Sequence, residues 1–408
     1  MMTPIQCELL SQKLDLFVVF RNLPEHPVLY HFRQVLNDLA RGNGAEVLQH
    51  YADFIAALYE REDVFSRVLL DLAAEDENPY VKLRARREAV PAYYADCVKA
   101  ELQTLSEVAD VPFDELHALM ASAVPESRRF AVPPYKSERF DFAGAYEQRI
   151  ADISKTGYGM YARHRMFRVS DGAIVPVSSP DPMELSHLVG YESERRKLID
   201  NTLALLDGKP AANTLLYGDA GTGKSSSVKA VVNFLADRGL RLIEVRKDQL
   251  FQIPEIMEQL RENPLKFILF IDDLSFQKGD DNFSTLKAIL EGSASARASN
   301  TVIYATSNRR HLVKETFSDR DGDDVHRNDT MQELISLSGR FGLTILFSAP
   351  TKDLYLEIVH ELAREKGIDM DEEELDVKAA AFAMRKGGRS PRAAEQFTDS
   401  LLTGGASQ

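Results

Sequence analysis

Gly218-Asp219-Ala220-Gly221-Thr222-Gly223-Lys224-Ser225 is the stretch on which the reading of this 408-residue chain turns. It is a complete G-x-x-x-x-G-K-[ST] loop, followed by a second hydroxyl, Ser226. Before it, Thr214-Leu215-Leu216-Tyr217 is a short apolar run of strand character; after it, Ser225 to Asp237 carries a helical pattern. Strand, glycine loop and helix N-terminus in this order aim consecutive backbone N–H groups at a di- or triphosphate. The glycines let the backbone curl around the phosphates, Lys224 supplies a cation, and the Ser225 hydroxyl can ligate Mg²⁺. The alternative is a chance glycine turn carrying a lysine, which both correct flanks argue against. The stretch therefore implies a nucleoside triphosphate ligand. Lys224 is expected to be partly exposed until phosphate meets it.

Composition sets the frame. With 44% hydrophobic and 27% charged residues, the chain can build two domains with cores of their own. A net charge of −14 gives no general footprint for nucleic acid or an anionic membrane. The basic run Lys82-Leu83-Arg84-Ala85-Arg86-Arg87 reads as a solvated helix face. Cys7 and Cys97 are too few and too distant in sequence for a disulfide framework or a zinc site. Lys13 and Asp15 interrupt any leader-like apolar segment, and no stretch approaches the length of a membrane span. The expectation is a cytoplasmic protein without a membrane partner.

Residues 1–125 read as an all-α N-terminal domain, with Leu48, Tyr51, Ile55, Leu58 and Tyr59 at helical spacing and expected in its core. Tyr94, Val98, Leu102 and Leu105 repeat that pattern. A Pro-containing stretch from Val124 to Pro134 marks a boundary, and 126–184 reads as a linker. That linker holds a short helix near Phe142 to Ile150 and a hairpin turning at Asp171-Gly172. Residues 185–349 alternate strand and helix, which predicts a five-stranded parallel sheet covered on both faces. Residues 350–408 return to helices and form a lid, with Pro391 at the first position of the last one.

More polar residues stand at strand ends. Phe267-Ile268-Leu269-Phe270-Ile271 runs into Asp272 and Asp273. In a phosphate-loop protein the first acid holds the Mg²⁺ that bridges the outer phosphates, and the second can polarise the attacking water. Paired acids can also be helix caps; their order after the loop favours the metal role. If the strand from Thr301 lies between those of the loop and of the acids, Asn308 reaches the γ-phosphate or the water. Otherwise it is a turn asparagine. Arg340, just before the fifth strand, faces outward and suits an arginine finger for a neighbouring subunit, unless a local carboxylate pairs it. Arg389 and Arg392 open the last lid helix and can reach back to the nucleotide.

Together, the phosphate loop, the Asp-Asp strand, Ala305-Thr306-Ser307-Asn308, Gly339-Arg340-Phe341-Gly342 and Gly388-Arg389-Ser390-Pro391-Arg392 resemble the AAA+ ATPases. The spelling is closer still to the bacterial ATP-binding family known as domain of unknown function 815. Leu188-Val189-Gly190-Tyr191, Asp272-Asp273-Leu274-Ser275-Phe276 and Tyr304 to Leu312 carry that likeness, which covers roughly residues 150 to 403. The resemblance implies an α/β AAA+ P-loop core, ATP and Mg²⁺ as ligands, and a homo-oligomeric ring or arc acting on a partner macromolecule. It implies that Leu188, Val189, Gly190 and Tyr191 pack around the adenine, that Gly218 to Ser225 is Walker A and that Asp272-Asp273 is Walker B. Asn308 would be sensor 1, Arg340 the arginine finger, and Arg392 sensor 2 with Arg389 competing.

Two departures qualify what the family implies. AAA+ proteins mostly end Walker B in Asp-Glu, and Asp273 is one methylene shorter; a displacement of about 1 Å can cost about two orders of magnitude in rate. A slow ATPase or a nucleotide-dependent switch with negligible turnover are therefore the rival outcomes. Secondly, Arg246 to Pro254 lacks the glycine of an aromatic threading loop, and Phe251 is expected in the core. The run Asp319 to His326 superficially resembles a calcium loop, but its glycine is fourth and its twelfth position is Thr330. It reads as a solvated acidic loop able to contact a partner protein. A DNA-associated loader shares the fold but would need a basic surface, which −14 disfavours.

Overall fold

The computed structural model describes residues 2–124, 131–276, 281–291, 299–308 and 339–403. They fall into two compact units, Met1–Arg163 and His164–Gln408. The division lies inside the 126–184 stretch that the sequence sets apart as a connector.

The first unit consists of helices and one isolated bridge, Val64 with Lys136, among the described residues. Its helices start and stop where the chemistry directs. Pro27 opens Pro27–Arg41, the His26 ring nitrogen Nδ1 accepts the Val28 N–H at 3.3 Å, and Gly42 closes it at φ +70°. Phe32, Phe54, Phe65 and Tyr135 form an aromatic cluster with centroids 4.7 to 5.6 Å apart. Edge-on and tilted contacts of this kind add to the burial of each ring. Tyr51, Ile55, Leu58, Val98, Leu102 and Leu105 are buried as expected. Tyr59 is not: it is 47% exposed, and its hydroxyl donates to the Pro134 carbonyl. The buried Glu101 carboxylate accepts the N–H groups of Val18, Val19 and Phe20 at 2.8 to 3.2 Å, which fixes the corner after the first helix.

The second unit is built on a seven-stranded sheet: β1 (Met166–Ser170), β2 (Ala173–Pro176), β3 (Thr214–Gly218), β4 (Leu240–Glu244), β5 (Lys266–Ile271), β6 (Thr301–Ser307) and β7 (Leu343–Phe347). Their order is β2-β1-β4-β5-β6-β3-β7, and every neighbouring pair except β1–β2 is parallel. The five expected strands are present, but the count is corrected to seven. The hairpin, turning through Asp171 (φ +49°) and Gly172 (φ +79°), docks on β4 in the register Met166 to Leu242. Without it β4 would present a row of unpaired backbone groups. The α/β class stands as expected, with a helical lid after the sheet and an all-helical unit before it in sequence.

β5 and β6 are buried along almost their whole length, as parallel strands covered on both faces are. β6 lies between β3 and β5, so Tyr217 pairs with Ser307 and Ala305 with Ile271. That register brings the C-terminal ends of three strands to one edge, the place where open α/β sheets bind ligands. Asn201 and Thr202 of the helix Glu192–Leu206 hold the buried Tyr304 hydroxyl at 3.0 and 2.8 Å, locking that helix to the sheet.

The lid is three helices, Lys352–Glu365, Glu372–Arg385 and Pro391–Leu402, capped by Thr351, Asp371 and Ser390. Its own core gathers Tyr355, Ile358, Val359, Leu375, Ala379 and Phe397. The strap Leu188–Tyr191 joins the two cores: Val189 packs on the lid cluster, while Tyr191 stacks on Phe347 of the sheet at 5.3 Å. No described helix is long and apolar enough to cross a membrane.

Candidate nucleotide-binding site

The loop after β3 takes its shape from three glycines at positive φ: Gly218 (+134°), Gly221 (+75°) and Gly223 (+86°). L side chains resist these angles. At Gly218 a Cβ would also collide with the Phe347 carbonyl oxygen, so only glycine lets β3 and β7 run this close into the loop. Asp219 ties the loop to the far side of β7, its Oδ2 accepting the Ala349 N–H at 2.7 Å.

Lys224 departs from expectation. It is 5% exposed, and its Nζ donates to the Asp219 carbonyl at 2.6 Å and the Gly218 carbonyl at 3.3 Å. Burial lowers its pKa, while Asp219, Asp272 and Asp273 act to raise it. The curled loop turns its own carbonyls toward the ammonium, which is why it is not left waiting in solvent.

At the ends of β5 and β6 the acids meet the loop. Asp272 Oδ1 accepts from the Ser225 hydroxyl at 2.6 Å and from the Thr306 hydroxyl. Asp273 stands at φ +50°, a left-handed conformation that a short polar side chain tolerates. Its N–H donates to Thr306 Oγ1 at 2.9 Å, and its carboxylate accepts from Asn308 Nδ2 at 2.9 Å. The turn thus separates the two acids: Asp272 faces the Ser225 hydroxyl and Asp273 faces Asn308. The oxygens of Ser225 and Asp272 are hard ligands of the kind Mg²⁺ takes.

These groups line one cavity of about 430 Å³. Ala220 to Ser227, Asp272, Asp273, Thr306, Asn308 and Arg392 form its polar end. Met183, Leu188, Val189, Tyr191, Ile358 and Leu362 supply its apolar lining, with His187, Arg195 and Glu395 also on its walls. Of the strap, Leu188, Val189 and Tyr191 reach the cavity; Gly190 instead lets the lid helix approach, since a Cβ there would lie 2.7 Å from Leu354 Cδ1. Tyr191 donates its hydroxyl to the Ser348 carbonyl at 2.6 Å, and burial pushes its pKa up to about 12.

Residues 161–405 match the model of the family described as "Protein of unknown function (DUF815)". The chain belongs to this family. The match opens within three residues of the second unit's start, so the helical unit lies almost wholly outside it. Among solved structures, a Thermotoga maritima RuvB point mutant is similar at 16% identity and a TM-score of 0.39, covering 54% of this chain and 65% of its own. The Thermotoga maritima RuvB Holliday junction branch migration motor is similar at 17% identity, a TM-score of 0.37 and the same coverage. The chain thus spans just under two thirds of these RuvB chains. No curated protein matches it.

In this DUF815 chain the two lid arginines are told apart by position. Arg392, in the first turn of Pro391–Leu402, lines the cavity, and its N–H donates to the Gly221 carbonyl at 3.2 Å. Arg389 precedes the Ser390 cap, is exposed and does not line the cavity. Arg340 does not line it either: its Nε donates to Glu291 Oε1 at 2.6 Å, and its Nη2 also contacts that carboxylate, the local ion pair that sequence left as the alternative. Phe251 is corrected from core to surface at 65% exposure. The acidic run Asp319 to His326, with Arg309 to Leu312, lies outside the described residues. Thr306, Arg195, Ile358 and Leu362 were not singled out from sequence. Only the register of β6 against β5 could have drawn attention to Thr306, and nothing local marks the others.

Proposed function

We propose that the chain binds ATP with Mg²⁺ in this cavity and hydrolyses it, coupling the cycle to movement of the lid and so to remodelling or regulation of a partner macromolecule. The observation that carries the reading is the convergence of the glycine loop, two separately oriented acids, Asn308 and the lid's Arg392 on one cavity with an apolar end. The loop N–H groups and Lys224 would hold the outer phosphates once Lys224 exchanges its carbonyl partners for phosphate oxygens. Ser225 and Asp272 would hold Mg²⁺, which supplies charge neutralisation between those phosphates. Asp273, oriented by Asn308, is placed to polarise water. Arg392 links the lid to the loop, so a change at the γ-phosphate would be felt by the lid helices.

Arg340 acts, in this reading, on the nucleotide of a neighbouring copy in a ring or arc, leaving Glu291 as it does so. A second reading is a nucleotide-dependent switch with negligible turnover. The short Asp273 side chain and its 2.9 Å bond to Asn308 favour it, because that carboxylate is engaged before any water arrives. Turnover of Asp273→Glu beside wild type separates the two. A strong rise with the longer acid points to a switch held back by reach. Turnover already fast in wild type supports hydrolysis, and failure of both proteins to bind ATP in calorimetry removes either reading.

A further inference from the structure

Arg195 sits in the first turns of the helix Glu192–Leu206, is 7% exposed and lines the nucleotide cavity beside its apolar walls. One arm of the guanidinium is occupied: Nη2 donates to the Leu188 carbonyl at 2.6 Å and to Glu192 at 3.3 Å. Glu192 is largely in solvent, so that second bond contributes little. The N–H groups on Nε and Nη1 have no partner among the described residues. Neither nitrogen is among the fully buried atoms left without a partner, so both open onto the cavity that Arg195 lines, where a ligand can reach them.

The surroundings state what would satisfy it. Leu188, Val189, Met183, Ile358 and Leu362 form an apolar slot of the kind that takes a flat ring. The Tyr191 hydroxyl already donates its hydrogen bond to the Ser348 carbonyl. Arg195 is thus a charged donor next to that slot, with His187 the other nitrogen-bearing side chain among these apolar lining residues. Purine rings carry acceptor nitrogens on their edges, and a guanidinium fork can serve one while another arm holds a carbonyl.

Resting on the nucleotide reading above and deepening it, we propose that Arg195 recognises the base: it fixes the strap through Leu188 while its free N–H groups donate to a purine acceptor. The competing role is structural only, with Arg195 holding the strap and nothing else.

Calorimetric binding of ATP and of ribose 5-triphosphate, which has the same phosphates and no base, separates these roles. In Arg195→Gln the ATP affinity should fall about 10- to 100-fold, as expected when a charge-assisted hydrogen bond is lost, and ribose 5-triphosphate affinity should stay within about twofold. Arg195→Lys, keeping the charge and the Leu188 bond without the fork, should fall between, and it carries the test if the Gln variant does not fold. Equal loss for both ligands, or undiminished ATP binding, overturns the inference. So does a wild type that binds both ligands equally well, although the phosphate site would then stand. A wild type that binds neither ligand refutes the nucleotide reading itself.

Discussion

Exchanging Lys224 for Met removes the ammonium while keeping a side chain of similar length, and two separable losses should follow. The first is felt without ligand. The ammonium bonds the carbonyls of Gly218 and Asp219, and leaving them unpaired costs about 1–3 kcal/mol. In a unit of this size that lowers the melting temperature by roughly 2–4 °C for each kcal/mol. The second appears with ligand. Removing one member of a buried charge pair costs about 2–5 kcal/mol, or roughly 30- to several-thousandfold in ATP affinity. Scanning calorimetry of the ligand-free protein reads the first loss, and titration with Mg²⁺·ATP reads the second. Wild-type affinity in Lys224→Met would remove the phosphate-loop assignment. Lost affinity with an unchanged melting temperature would show instead that the carbonyl bonds contribute nothing to the fold.

Asp272→Asn should weaken Mg²⁺-dependent ATP binding, whereas Asp273→Asn should keep binding and suppress turnover; equal loss of binding in both would count against their separate roles. Arg340→Ala and Lys224→Ala subunits, each inactive alone, should regain activity when mixed, by a factor approaching the roughly 10³ such fingers provide. Turnover that is independent of protein concentration and indifferent to Arg340→Ala would leave a monomer. His26 is held neutral down to a pKa of about 4, chiefly by burial with help from Arg61 and Arg163. Its folded value lies below the usual 6.5, so the stability it confers is complete above about 6.5 and is lost as pH falls toward 4. The melting temperature should therefore drop between pH 7 and pH 5, and less steeply in His26→Asn, which keeps a cap for Val28; an identical slope in the variant would clear His26 of the effect.

What the sequence made legible was local. The glycine loop, the acids closing β5 and Pro391 at the first position of the last lid helix are each set by neighbours a few positions away, and they stand where expected. β5 and β6 were readable because buried parallel strands are continuous apolar runs, whereas β7, at the sheet edge, is buried only at alternate residues. What escaped depends on pairing across long separations. The turn at Asp171-Gly172 announced a hairpin but not that its first strand would dock on β4. Thr306 bridges both acids only through the alignment of β6 with β5. Lys224 was read as waiting for phosphate because its motif names the ligand and not the loop carbonyls that satisfy it meanwhile. Phe251 and Tyr59 are aromatic side chains whose exposure no spacing reveals. Spacing could not rank Arg389 against Arg392, either; lying before or after the Ser390 cap decides it.

The pairing of β3 with β7 also orders events during synthesis. The loop's entrance is fixed by Gly218 lying beside Phe347 and by the bond from Ala349 to Asp219, positions 130 apart in the chain. At roughly 5–20 residues per second, a ribosome needs on the order of ten seconds to supply the second partner after the first. Throughout that interval β3 lacks its outer neighbour, and the Asp219 carboxylate has no Ala349 N–H to hold it. On the proposed function, a nucleotide in the surrounding solution would have nothing complete to grip on the nascent chain. Its stabilising effect would then be reserved for the finished unit, where binding would favour the folded form over the unfolded one by mass action.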